Sequence, residues 1–249
     1  MKFAVRATRA IFSVYGLLWF VVCVILALPI TLVCALFGKI RGGNMMYRSY
    51  AVLFRCWYFV TGIRHHDIYE AHEDRRKQYI FVANHISYLD IPPVMLAIHQ
   101  PVRVLGKYEM VKVPVFGWIY RMAVVLVDRS SPEARARSVR ALRSALKKNV
   151  SIFIFPEGTL NETGRPLKDF YDGAFRLAIE MKTPIKPLLF IDTANRLHYS
   201  SVFSLTPGPS RIVHLPEISV AGYSLKQVGE LKEHVYRVME AGLLKYRRK

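Results

Sequence analysis

The chain reads as an α/β protein, a mixed sheet flanked by helices and preceded by an N-terminal membrane-associated helical hairpin. Three observations predict this. From Gln78 onward, short apolar runs alternate with segments of helical spacing, the pattern of strands layered against helices. Residues 11–37 carry no charged side chain, enough to cross a bilayer or to fold back inside one leaflet. A second apolar stretch, residues 45–63, follows almost at once.

The first apolar run is too long for a secretory signal core, and Gly42-Gly43 is a weak cleavage site, so the segment is expected to be retained. Pro29 lies within it. Lys2, Arg6 and Arg9 precede it and Lys39, Arg41 and Arg48 follow, so the positive-inside rule selects no orientation. In the second stretch, Arg48 and Arg55 are seven apart and share one helical face, which suits a helix lying at the interface. The alternative is an ordinary core helix. Residues 1–63 are expected to form a hairpin dipping into the cytoplasmic leaflet (the inner membrane in a bacterium), with a single true span as the alternative. Residues 64–249 form the α/β domain, entered through a polar neck at 64–78.

Within that domain, Gln78–Ala83 reads as a short buried strand. Ile91–Ile98 reads as a helix, because Pro92 and Pro93 are tolerable only in a first turn. Val102–Leu105 and Val124–Val127 are strands. Pro132–Lys148 is a helix with Val139, Leu142 and Leu146 on one side. Ser151–Phe155 is a buried strand, Gly173–Lys182 a helix, Ile185–Ile191 and Arg211–Leu215 strands, and Ser224–Tyr246 a closing helix.

Composition narrows the function. Lys and Arg number 36 against 18 acidic residues, a net charge of +18 that calls for an anionic partner. The apolar N-terminus points to lipid, and no nucleic acid is expected. The cysteines are three, an odd number without metal-ligand spacing, so neither a disulfide framework nor a metal site is indicated. The run Arg135, Arg137, Arg140, Arg143, Lys147 and Lys148 is either a solvated helix face or a dock for anionic headgroups or an acidic carrier protein.

Two blocks carry chemistry. Residues 84–90 read Asn-His-Ile-Ser-Tyr-Leu-Asp, just after a strand. Asp90 could hold one ring nitrogen of His85 and leave the other as a general base. Alternatively, Asp90 and Ser87 are helix caps; the two roles can coexist. Residues 155–159 read Phe-Pro-Glu-Gly-Thr after another strand, a tight turn with Glu157 at its tip. The plain alternative is a turn bearing a solvated carboxylate. No serine stands in a G-x-S-x-G elbow, which disfavours a hydrolase.

Taken together, these blocks resemble those of the glycerolipid acyltransferase family, the lysophosphatidic acid acyltransferases above all. The family's NHxSxxD is met by Asn84, His85, Ser87 and Asp90. Its second block is matched by Gly106, Lys107, Glu109, Pro114 and Gly117, closing at Asp128-Arg129. FPEGT is Phe155–Thr159, and the apolar stretch between prolines is Pro184-Ile185-Lys186-Pro187. The resemblance covers about residues 64–215. It implies a glycerol-3-phosphate acyltransferase-like fold and direct acyl transfer from acyl-CoA or acyl carrier protein to a lysolipid hydroxyl, with no cofactor. His85 and Asp90 would be catalytic; Asn84, Ser87, Gly106, Lys107, Arg129, Glu157, Gly158 and Thr159 would bind substrate. Backbone amides near His85 or Gly158 would receive the oxyanion.

The chain departs from the family twice. An arginine that commonly follows FPEGT, a contact to the acceptor phosphate, is Leu160 here, and Arg165, Lys168 or Arg129 are candidates to replace it. A glycine expected some seven residues after Gly117 is also missing, with Ala123 or Val124 nearby. The implied acceptor is lysophosphatidic acid, with a phosphate-free lysolipid, such as an amino-acid-headed one, as the enzymatic alternative. A basic membrane-binding protein without catalysis is the alternative from another class.

Overall fold

A computed structural model describes residues 2–114, 116–127 and 131–247. In chain order the elements are α1 (Lys2–Ala35), α2 (Gly43–Val60), β1 (Ile63–Tyr69), β2 (Ile80–Ala83), α3 (Ile91–Ala97), β3 (Val102–Lys107), α4 (Phe116–Ala123), β4 (Val124–Val127), α5 (Pro132–Leu146), β5 (Ser151–Ile154), α6 (Gly173–Met181), β6 (Ile185–Phe190), α7 (Thr193–Arg196), β7 (Gly208–His214) and α8 (Val228–Arg247). The strands make one seven-stranded sheet in the order β1-β7-β6-β2-β5-β3-β4. Strands β6, β2, β5, β3 and β4 run parallel, and β7, with β1 parallel to it, runs antiparallel to β6. The sheet is mixed, as expected.

Successive side chains of a strand point to opposite faces, and both faces here are covered. Ile80, Val82, Ile152 and Ile154 pack with Leu146 of α5, Phe175 of α6 and Met239 of α8. On the other face, Phe81, Ala83 and Phe153 pack with Val94 of α3 and with Met46, Tyr47 and Tyr50 of α2. Double coverage explains why the central strands read as unbroken apolar runs.

The two N-terminal helices pack against each other. Along α1, Leu17, Leu18, Val22, Ile25, Leu26 and Leu32 are exposed, and this is the one helix among the described residues long and apolar enough to cross a membrane. Helix α2 divides its surface. Met46, Tyr47, Tyr50, Trp57 and Tyr58 are buried, while Val52 and Phe59 are exposed. Its inner face is therefore that of a core helix: Tyr47 Oη donates to the Val94 carbonyl at 2.6 Å. Arg103 of β3 clamps the turn between the two helices, donating to the carbonyls of Lys39 and Ile40 at 3.0 and 3.1 Å and to Asn44 Oδ1 at 3.0 Å.

The neck expected at 64–78 is corrected by β1, an edge strand paired with β7 from Ile63 to Tyr69. It lacks apolar alternation because paired polar groups occupy its inner side. Asp67 accepts from His65 Nε2 at 3.0 Å and from the fully buried His214 Nε2 at 2.9 Å, and Glu73 stands 3.4 Å from His214 Nδ1. Burial disfavours a charged His214, but its bond to Asp67 and the neighbouring Glu73 carboxylate prevail and its pKa is raised.

Candidate active site

Parallel strands bring their C-terminal ends to one edge of the sheet, where loops can assemble a site. The loop after β2 carries residues 84–90 and the loop after β5 carries 155–161. Because β2 and β5 are hydrogen-bonded neighbours, the two loops meet. Asn161 N donates to the His85 carbonyl at 2.7 Å, and His85 N donates to Glu157 Oε1 at 2.8 Å.

Asp90 is fully buried, and its Oδ2 accepts three bonds. His85 Nδ1 lies 2.7 Å away, Ile86 N 2.7 Å and Ser87 N 2.9 Å. The carboxylate thus fixes the ring and caps the turn that carries it; Ser87 and Asp90 form the capping box, so holding the imidazole and capping the turn coexist in one carboxylate. The imidazole stacks on Phe155, with centroids 4.0 Å apart and planes at 14°. With Nδ1 committed to Asp90 as donor, the neutral ring presents Nε2 as a proton acceptor, and Nε2 has no hydrogen bond among the described residues.

Glu157 is not a solvated turn carboxylate. It is completely buried, with Oε1 on His85 N and Oε2 on Lys168 N, each at 2.8 Å. Burial pushes its pKa up to about 7, against the opposing pull of those two amide bonds. Gly158 has φ of +73°, a left-handed conformation open to glycine at little cost, and it turns the loop back on itself through its N–H to the Phe155 carbonyl.

The remaining expected site residues fall in three groups. Asn84 is buried with its amide paired to the Phe190 backbone of β6, donating at 2.9 Å and accepting at 2.8 Å. Ser87 Oγ donates to the Leu197 carbonyl at 2.5 Å and accepts from Leu89 N. Both hold the loop rather than face open space. Gly106 and Lys107 end β3, on the far side of β5. A side chain at Gly106 would put its Cβ 2.4 Å from Tyr120 Oη, so glycine there makes room for the ring. Lys107 is exposed, with its ammonium 3.7 Å from Glu109. Thr159 is exposed and accepts from Lys168 Nζ at 2.6 Å. Arg129 lies outside the described residues.

Lys168, a candidate replacement for the arginine absent at position 160, also holds Glu157, a bond that was not foreseen. It joins the site from a loop eleven residues past Glu157, through its backbone N–H to Glu157 and its ammonium to Thr159. Nothing in the spacing signals it. The candidate oxyanion amides near His85 and Gly158 are narrowed: His85, Ile86 and Ser87 give their N–H groups to carboxylates and Gly158 gives its own to Phe155. The amides of Thr159 and Leu160 have no acceptor among the described residues.

The sequence pattern of the family described as Acyltransferase matches residues 63–191, just over half of the chain, and spans both loops. The chain belongs to this acyltransferase family. Among its curated relatives, the 1-acyl-sn-glycerol-3-phosphate acyltransferase of Salmonella typhimurium is 32% identical over 163 residues, 65% of each chain. The protein of the same name from Cocos nucifera is 28% identical over 202 residues, 80% of this chain and 63% of the relative. The chain thus spans just under two thirds of the length of these acyltransferase relatives. The fold matches the crystal structure of the 1-acyl-sn-glycerophosphate (LPA) acyltransferase PlsC from Thermotoga maritima, with a TM-score of 0.78, 20% identity and 98% of each chain covered.

Proposed function

We propose that the protein moves a fatty acyl group from the thioester of acyl-CoA or acyl carrier protein to the free hydroxyl of a lysolipid, with lysophosphatidic acid as the acceptor and phosphatidic acid as the product. The observation that carries this is the 2.7 Å bond from His85 Nδ1 to a buried Asp90, which leaves Nε2 as the base. Nε2 takes the hydroxyl proton as the alkoxide oxygen attacks the thioester carbon. The tetrahedral oxyanion is received by the Thr159 and Leu160 amides. It collapses to the ester, and the departing thiolate recovers the proton from the imidazolium. No acyl-enzyme forms, since no nucleophilic side chain is required.

Lys168 supplies the cation that Leu160 does not, because its ammonium is already held at Thr159, one residue away. Lys107 adds charge from the end of β3. The exposed apolar length of α1 supports attachment to a membrane, and the reading assigns the α/β domain to the cytoplasmic side, where soluble thioesters occur. Leu160 favours a second reading, an acceptor without a phosphate. A non-catalytic binding protein would gain the cap from Asp90, but it would have no use for the further bond that fixes the imidazole with Nε2 unpaired.

The test is thiol release from palmitoyl-CoA by membranes carrying the protein, with lysophosphatidic acid and phosphate-free lysolipids as acceptors and His85→Ala as control. Turnover that depends on His85 and on lysophosphatidic acid supports the first reading. Turnover only with phosphate-free acceptors supports the second, and activity that survives His85→Ala refutes the mechanism.

A further inference from the structure

Beyond the His85 site, the sheet's other edge carries a cavity of about 730 Å³ between β4, α4, α5 and the turn joining α1 to α2. Strand β4 is three places from β2, so the cavity lies about 14 Å across the sheet from the strand that leads to His85. Its volume falls in the range of small-molecule sites.

The lining is of two kinds. Met122, Val124, Leu126 and Ala145 give an apolar floor. Lys39, Arg121, Arg137 and Lys148 stand around it. None of the four is in an ion pair with a carboxylate among the described residues. At depth lies Arg103, only 6% exposed, whose guanidinium meets neutral acceptors alone: the Asn44 amide and the carbonyls of Lys39, Ile40 and Val102. A buried cation without a counter-charge is costly, and an anion brought beside it relieves that cost. The basic run of α5 is thereby divided. Arg143 turns away to Glu180 at 2.5 Å, whereas Arg137 and Lys148 line the cavity.

We propose that this cavity is a separate binding site for an anionic phospholipid, with the phosphate among the cations and the start of an acyl chain on the apolar floor. Charge complementarity selects the anion, and the apolar floor selects a tail over a bare phosphate. The place of the cavity beside the α1–α2 turn supplies the source. That turn belongs to the pair of helices whose exposed apolar face meets the bilayer, so a lipid reaches the cavity without crossing water.

The test is a titration of the full chain in detergent with fluorescent phosphatidic acid, counting bound lipids by anisotropy and by native mass spectrometry. The variants are the charge reversal Arg121→Glu/Arg137→Glu and the cavity-filling Ala141→Trp, which changes an exposed helical position. The expected result is a saturable binding class in the unmodified chain that weakens at least tenfold in both variants, while fluorescent phosphatidylcholine shows no such class. Unchanged affinity and number in the charge-reversed chain, with its fold verified by circular dichroism, overturns the proposal. So does displacement of the lipid by millimolar inorganic phosphate, by adenosine 3′,5′-bisphosphate or by acyl carrier protein, which assigns the cavity to a phosphate, to the donor's nucleotide or to a carrier. The binding count needs no turnover, so it stands or falls separately from the acyl-transfer reading.

Discussion

Replacing Asp90 tests whether one carboxylate both builds the loop and runs the base. Its Oδ2 accepts from His85 Nδ1, Ile86 N and Ser87 N, and its Oδ1 is buried without a hydrogen-bond partner. Asp90→Ala strands two buried backbone N–H groups at about 1–3 kcal/mol each, so about 2–6 kcal/mol of stability is expected to disappear. For a chain of this size that lowers Tm by about 5–20 °C. In Asp90→Asn, the amide oxygen can take the place of Oδ2 and keep all three bonds, and the amide nitrogen falls where Oδ1 had no partner. The stability loss is then expected to be under about 2 kcal/mol, while losing the charge opposite the developing imidazolium costs about 1.5–3 kcal/mol of transition-state stabilisation, a rate reduction of about 10- to 150-fold. Thermal unfolding in detergent and thiol release from palmitoyl-CoA measure the two quantities separately. If Asp90→Ala unfolds at the unmodified temperature, or Asp90→Asn turns over at the full rate, the dual assignment is wrong.

Four further outcomes follow from the same geometry. Glu157 has a folded pKa of about 7, above the ordinary 4.5, so its contribution is most favourable below pH 4.5 and declines as pH rises through 7, by up to ~3 kcal/mol. Glu157→Gln should remove that slope in a Tm-against-pH series but cost about 1–3 kcal/mol at low pH, because its NH₂ faces one of the two amide donors. His214, whose pKa is also raised, contributes stability that is fully present below pH 6.5 and is lost as pH climbs through its folded value; Asp67→Asn should flatten that part of the same profile. Gly158→Ala forces a Cβ into the left-handed region and should cost about 1–2 kcal/mol, read by urea titration. Leu160→Arg should raise kcat/KM for lysophosphatidic acid about tenfold over phosphate-free acceptors, and an unchanged ratio would show that residue 160 does not meet the headgroup.

The His85–Asp90 contact was legible in the sequence because it is local: the two residues share one turn, and five positions bring them together. The buried strands were legible because double coverage leaves no polar alternation to confuse them. What escaped depends on partners distant in the chain. Strand β1 looked like a polar linker because Asp67 is satisfied by His214, 147 residues later. The membrane-facing reading of 45–63 missed the burial of Tyr47, whose hydroxyl needs the Val94 carbonyl of α3. Glu157 stood out as a motif residue, yet its task could not be read, since both of its partners are backbone amides, which no sequence pattern marks.

That last point bears on the departure at Leu160. The groups that orient His85 are Asp90, the stacked Phe155 ring and the Glu157 staple, and every bond among them is made by a residue other than 160. Leucine in place of arginine there leaves His85, its carboxylate and the turn intact. On the proposed function, the change acts on the wall beside the acceptor, which also carries the bonded pair Lys168 and Thr159. On the same reading, acyl transfer and headgroup choice are therefore separable in this chain, the first resting on buried bonds between two loops and the second on the half-buried and exposed side chains of Thr159, Leu160 and Lys168. A change of acceptor needs only the second set to vary, and Lys168→Ala tests this directly. It should raise KM for a phosphate-bearing acceptor while kcat for a phosphate-free one holds, whereas an equal fall in kcat for both would place Lys168 with the machinery that positions Glu157.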